Sequence, residues 1–214
     1  MKNFLIFSTV ILCYLFLTFL DKTYISTSSK IFDFLSRDYP NDVVQSYMES
    51  QKKWWWVSYA VTPILIGAKV LLVAFCLNFI KLLDLEGLEK VRFSDFVFLA
   101  LIAEIVFLLA GFYKFVNFHW IDTDYTLETL QTYYPISLAN IREHVSTEKW
   151  LAYPLQLVNL FELFYWGILA WGIYELSDQK VKPLKSFGLV AMTYGVGLLF
   201  WAGVVSFLIL NAQY

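Results

Sequence analysis

Five blocks of predominantly apolar residues, at about 4–20, 55–78, 94–114, 154–175 and 187–210, dominate this chain. A helix needs roughly 20 such residues to cross the hydrocarbon core of a bilayer. Hydrocarbon offers no partner to a backbone N–H or C=O, so a spanning segment must satisfy its own polar groups, as a helix does. The chain is 59% hydrophobic and only 16% charged, whereas a soluble domain carries about 25% charged residues. The expectation is an all-α membrane protein: a five-transmembrane-helix bundle forming a single polytopic domain over 1–214. The two long outer loops, about 21–54 and 115–153, are expected to form a small helical extracytoplasmic cap.

Aromatic and cationic residues mark the edges of these blocks. Lys52 and Lys53 precede Trp54, Trp55 and Trp56, an anchor in which indoles sit at the headgroups and lysines reach for water. The first block has neither the short apolar core nor the small-x-small site of a cleaved signal peptide, and reads as an uncleaved signal anchor. Lys81, Lys90 and Arg92 crowd one short loop, and Lys180, Lys182 and Lys185 crowd another. The positive-inside tendency then places the N-terminus in the cytoplasm and the C-terminus outside. In the outer loops, Ile31, Phe34 and Leu35 have helical spacing, and Tyr39-Pro40-Asn41-Asp42 reads as a turn opening a second short helix. Thr126 is followed by Glu128 and Leu130 and then a break at Pro135, and Ser137 is a candidate cap for a helix through Asn140 and Arg142, with Ser146 or Thr147 capping the next. The richness in Phe, Ile, Leu, Lys and Asn suits an AT-rich bacterial genome and an inner membrane.

Three ionisable residues interrupt the apolar blocks. Lys69 lies in the stretch PILIGAKVLLVAF, where Pro63 is tolerable near a helix start. Glu104 lies in LALIAEIVFLLAGF and Glu162 in LQLVNLFELFYWGILAWG. An unpaired charge at mid-membrane costs about 2.5–3.5 kcal/mol on insertion scales. The second and third spans are antiparallel neighbours, so Lys69 and Glu104 are expected to pair. Glu162 becomes a second partner, either ionised against Lys69 or protonated. Asn159 and Tyr165 lie three residues to either side of Glu162, on its helical face. Three readings of this intramembrane polar seam stand: a structural ion pair fixing which helix faces meet, a proton- or ion-coupled transport site, and pairing with a charge on another protein's membrane helix.

Gly188, Ala191, Gly195 and Ala202 fall on one stripe of the last block, with Ala191-x-x-x-Gly195 as a small-xxx-small pair for close helix packing. Cys13 and Cys76 read as buried small apolar side chains. His119, Asp122, Asp124 and His144 match no metal signature, and no nucleophile-with-base pattern or phosphate-binding glycine loop is present. No catalytic, cofactor-binding or metal-binding residue is therefore assigned. The net charge of −2 comes without a basic face for nucleic acid. The expected function is a non-enzymatic integral membrane subunit that associates with membrane-protein partners in the bilayer, in a transport or secretion assembly. The alternative is a small proton- or ion-coupled transporter built on the Lys69, Glu104 and Glu162 seam.

Overall fold

The computed structural model describes residues 2–141 and 149–212, and these are helical almost throughout. Helix α1 (Lys2–Leu20) runs into a wider π-type turn at Asp21–Ile25; α2 (Ser28–Leu35) and α3 (Asn41–Lys53) follow, then α4 (Val57–Asn78) with a 3₁₀ extension to Leu83. Next come α5 (Phe93–Ala103) and α6 (Ile105–Val116), the latter ending in a π turn at Asn117–Ile121, and the short α7 (Leu127–Thr132) and α8 (Leu138–Ile141). The remaining elements are α9 (Lys149–Leu157), α10 (Leu160–Leu176), α11 (Pro183–Val190), a π turn at Ala191–Gly195, and α12 (Val196–Ala212).

Among the described residues, four helical segments are long and apolar enough to cross a membrane: Phe4–Ile25, Val57–Leu83, Phe93–Ile121 and Pro183–Asn211. The fourth apolar block of the sequence does not form one such helix. It splits into α9 and α10 at Val158 and Asn159, leaving a 17-residue α10. The cause is local. Asn159 takes an extended backbone, and its side-chain oxygen accepts the Glu162 N–H at 2.7 Å, an N-cap that starts a new helix.

Helix α1 packs on α4, α5 and α6, α4 on α5, α10 on α5, α6 and α11, and α12 on α9. Leu77, Phe96, Ala100, Leu169, Ile173 and Val190 are buried where these segments meet. The outward faces keep large apolar side chains such as Leu72, Phe75, Leu199 and Phe200 exposed, the distribution expected of helices surrounded by lipid tails. Pro63 sits at the seventh position of α4 rather than at its start, because the helix begins at Val57. Thr62 Oγ1 donates to the Ser58 carbonyl at 2.7 Å one turn earlier. Cys13 is exposed on α1 and Cys76 half-buried, so the expectation of burial fails for Cys13.

The connections meet at opposite ends of the bundle. At one end, Lys180 Nζ donates to Glu86 Oε1 at 2.9 Å. That hydrogen bond and its charge hold the Glu86 carboxyl below its usual range and the Lys180 ammonium above its own. Beside it, Gly87 adopts φ +91°, and a Cβ there would lie 2.3 Å from the Ser177 carbonyl oxygen. At the other end, Tyr125 OH donates to the Ile25 carbonyl at 3.1 Å, and Lys30 Nζ lies 3.4 Å from the Tyr125 ring centroid. Helix α3 starts at Asn41 after the Pro40 turn, and Thr126 caps α7 by accepting the Thr129 N–H. Arg142, Ser146 and Thr147 lie outside the described residues.

Gly87 combines a left-handed backbone with a contact that leaves no space for a side chain. The substitution Gly87→Ala should cost about 1–3 kcal/mol, read as a lower melting temperature in detergent. Gly67→Ala, where an added Cβ meets nothing within 4 Å, should be neutral or gain up to about 1 kcal/mol. Equal melting of the two variants would contradict the docking of these loops.

Candidate functional site

The polar cluster is organised around Glu104, at the junction of α5 and α6, which is 0% exposed. Its backbone stays helical: the Glu104 N–H reaches the Ala100 carbonyl at 3.2 Å, and its own carbonyl accepts from Phe107 and Leu108. This continuity carries the carboxylate inward between the other helices. Lys69 Nζ on α4 lies 3.0 Å from Oε1 and 3.0 Å from Oε2. Tyr14 OH on α1 donates to Oε2 at 2.9 Å, and Tyr165 OH on α10 donates to Oε1 at 3.4 Å. One carboxylate thus takes charge-assisted hydrogen bonds from three other helices. The Lys69 ammonium also sits 3.5 Å from the Phe107 ring centroid, where the negative face of the ring favours a cation.

Glu162 forms a second centre. It is 6% exposed in the first turn of α10. Trp166 Nε1, one turn along the same helix, donates to Oε1 at 2.9 Å, and Tyr194 OH from the π turn before α12 donates to the same oxygen at 2.7 Å. Among the described residues no ion pair joins Glu162 to Lys69, whose ammonium is engaged by Glu104. The two centres adjoin through tilted aromatic rings: the Tyr165 and Tyr194 centroids lie 5.4 Å apart, and those of Tyr165 and Phe107 4.8 Å apart.

Asn159 departs from its expected role. It does not share a helical face with Glu162, because the helix begins only after it; it is the cap. Its Nδ2 donates to the carbonyls of Gln156 and Leu157 at 2.8 and 3.1 Å, covering acceptors left open by the break. The segment before α8 seals the rest. The Leu138 N–H donates to the Val158 carbonyl at 3.0 Å and the Leu160 N–H to the Ile136 carbonyl at 3.2 Å. To reach there, Ile136 adopts φ +49°, a left-handed conformation that branched residues avoid. The neighbouring Tyr134 phenol is within electrostatic reach of both carboxylates. Burial, then the Glu162 and Glu104 carboxylates, push its phenol well above the usual range.

Tyr14, Trp166, Tyr194, Phe107 and Tyr134 are members that sequence reasoning missed. Trp166 was within reach of it, being one helical turn beyond Glu162. Tyr14 and Tyr194 carry a weaker signal: a phenol in an apolar run has a polar tip that needs a partner.

The small-residue stripe is not continuous. The π turn at Ala191–Gly195 inserts extra residues into the helical repeat, so offsets measured from Gly188 no longer mark one face. Gly188 faces open space, while a Cβ on Gly195 would lie 2.6 Å from the Trp166 ring. Ala191 is half-buried and Ala202 buried. Gly197, outside the stripe, meets α4: a Cβ there would lie 2.8 Å from Cys76 Sγ.

His119 stacks on Phe115 with centroids 5.3 Å apart and meets Tyr24 edge-on at 5.2 Å. His144 lies outside the described residues. Among the described residues no group of three or more His, Cys, Asp or Glu side chains gathers to hold a metal.

Removing one member of a buried ion pair strands the other, at a typical cost of 3–5 kcal/mol, whereas replacing both is far milder. Lys69→Met and Glu104→Gln should each destabilise the detergent-solubilised protein by about 3 kcal/mol or more. The double variant should recover at least about 2 kcal/mol of their summed loss, measured by denaturant titration. Additive losses would deny the coupling. Comparison with known protein families, curated proteins and solved structures finds no match to this chain, so its function is read from this chemistry alone.

Proposed function

We propose that this chain is a non-enzymatic integral membrane subunit that binds another membrane protein along the flank of α4 carrying Lys69. The observation behind this reading is an asymmetry of exposure. The Glu104 side chain is 1% exposed, but that of its partner Lys69 is 40% exposed, in the middle of a 27-residue apolar helix. Leu65 and Leu72, one turn to either side, are 63% and 62% exposed. Lipid tails cover the methylene stem of Lys69 but give its ammonium no acceptor beyond Glu104, whereas a neighbouring helix with a hydroxyl or a backbone carbonyl at that depth supplies one. The matching occupant is therefore a transmembrane helix with a polar residue facing Lys69. An assembly for transport or secretion is the setting we favour.

In this reading five segments cross the membrane, α9 and α10 together forming the fourth crossing as a broken helix. Helices α2, α3, α7 and α8 form the outer cap. The N-terminus is cytoplasmic and the C-terminus outside, with Lys81, Lys90, Arg92, Lys180, Lys182 and Lys185 on the cytoplasmic face. A second reading, a small proton- or ion-coupled transporter, draws on the break itself. Discontinuous helices with polar groups at their ends are a recurring device of transport sites.

Two measurements test this. Reporter fusions at the two termini should show opposite sidedness; the same sidedness would remove the five-span topology. A photo-crosslinking amino acid at Leu65 or Leu72 should give a discrete adduct with one membrane protein in intact cells. That adduct should be absent at the outward-facing Leu199 on α12 and lost in the Lys69→Met/Glu104→Gln double variant. Adducts with no dependence on position, or none at all, would overturn the subunit reading.

A further inference from the structure

The charge of Lys69 is matched by Glu104. Lys69 Nζ lies 3.0 Å from each Glu104 oxygen, and among the described residues no other cation pairs with the second carboxylate. Glu162 is 6% exposed, and both of its partners, Trp166 and Tyr194, are neutral donors aimed at Oε1. Among the described residues no donor reaches Oε2. The groups facing Glu162 are Lys69 on α4, Glu104 between α5 and α6, and Tyr194 beyond α11. Tyr134 before α8 and Tyr153 on α9 are also within electrostatic reach. They supply one positive charge, already paired, and one further negative charge.

Among the described residues no cation is free to balance this carboxylate. A metal cation does not fit, since it needs several free oxygen ligands. Here an indole N–H and a phenol O–H point their hydrogens at the carboxylate, and Asn159 Oδ1 already accepts the Glu162 N–H. A proton fits on the unoccupied oxygen.

We propose that Glu162 is a proton-binding site, carrying an exchangeable proton on Oε2 in the folded bundle. The site lies one turn inside the break between α9 and α10, the point where the helical wall is interrupted and closed by the Ile136–Leu138 segment. It does not depend on the partner proposed above, because every group involved belongs to this chain.

Infrared spectroscopy of the wild-type protein in lipid vesicles tests it. A protonated-carboxyl C=O band should be present at neutral pH, disappear when the medium is made alkaline, and be absent from Glu162→Gln. That variant keeps an acceptor oxygen for Trp166 and Tyr194. Should it fail to fold, dicyclohexylcarbodiimide mapping of the wild type supplies the assignment. The carboxylic O–H adds across one C=N bond of the reagent, the acyl group then migrates to nitrogen, and nothing leaves. Mass spectrometry should find this adduct on Glu162 and not on Glu104, several-fold less at alkaline pH. No acid band at neutral pH, a band that persists in Glu162→Gln, or an adduct on Glu104 instead of Glu162 would overturn the proposal.

Discussion

A single buried carboxylate fixes how the helices of this protein meet. Glu104 accepts hydrogen bonds from Tyr14 on α1, Lys69 on α4 and Tyr165 on α10. Each donor must arrive at one depth and in one rotational setting, so four segments share a common register. Apolar side chains surrounded by lipid have little preference among helix faces, because a tail and a leucine are alike. Polar contacts break that degeneracy. Glu162 extends the same logic to the last segment through Tyr194, and the bundle is joined by two carboxylates and the phenols between them.

The apolar faces are permissive and the centre is exacting. Leu99 and Gly172 illustrate the second half: α10 lies so close to α5 that a Cβ on Gly172 would fall 2.0 Å from Leu99 Cδ1. That approach brings Tyr165 within reach of Glu104. Loop chemistry supports it from both ends, through Gly87 against Ser177 on one side and Ile136 in the helix break on the other.

The helical, lipid-facing character of the chain was legible because it rests on composition and length, which local sequence carries in full. Lys69 and Glu104 were legible as neighbours because a short loop puts their helices side by side and both sit at mid-block. What remained hidden depended on interruptions. Periodicity assumes an unbroken helix, so it set Asn159 on a face when Asn159 ends one helix and starts another. It aligned Gly188 with Ala202 across a π turn that rotates one against the other. Tyr14 and Tyr194 were hidden for a different reason: in an apolar run a tyrosine counts as hydrophobic, and only three-dimensional proximity shows what its hydroxyl touches.

The break at Asn159 bears on how the protein is made. The 17-residue α10 is at the short limit of a membrane span, and it opens with a carboxylate whose phenol partner, Tyr194, lies 32 residues downstream. Helix α10 thus emerges from the ribosome before the residue that completes its polar site. That site is completed only once the π turn carrying Tyr194 has been made, which ties the seating of α10 to a later stretch of the chain.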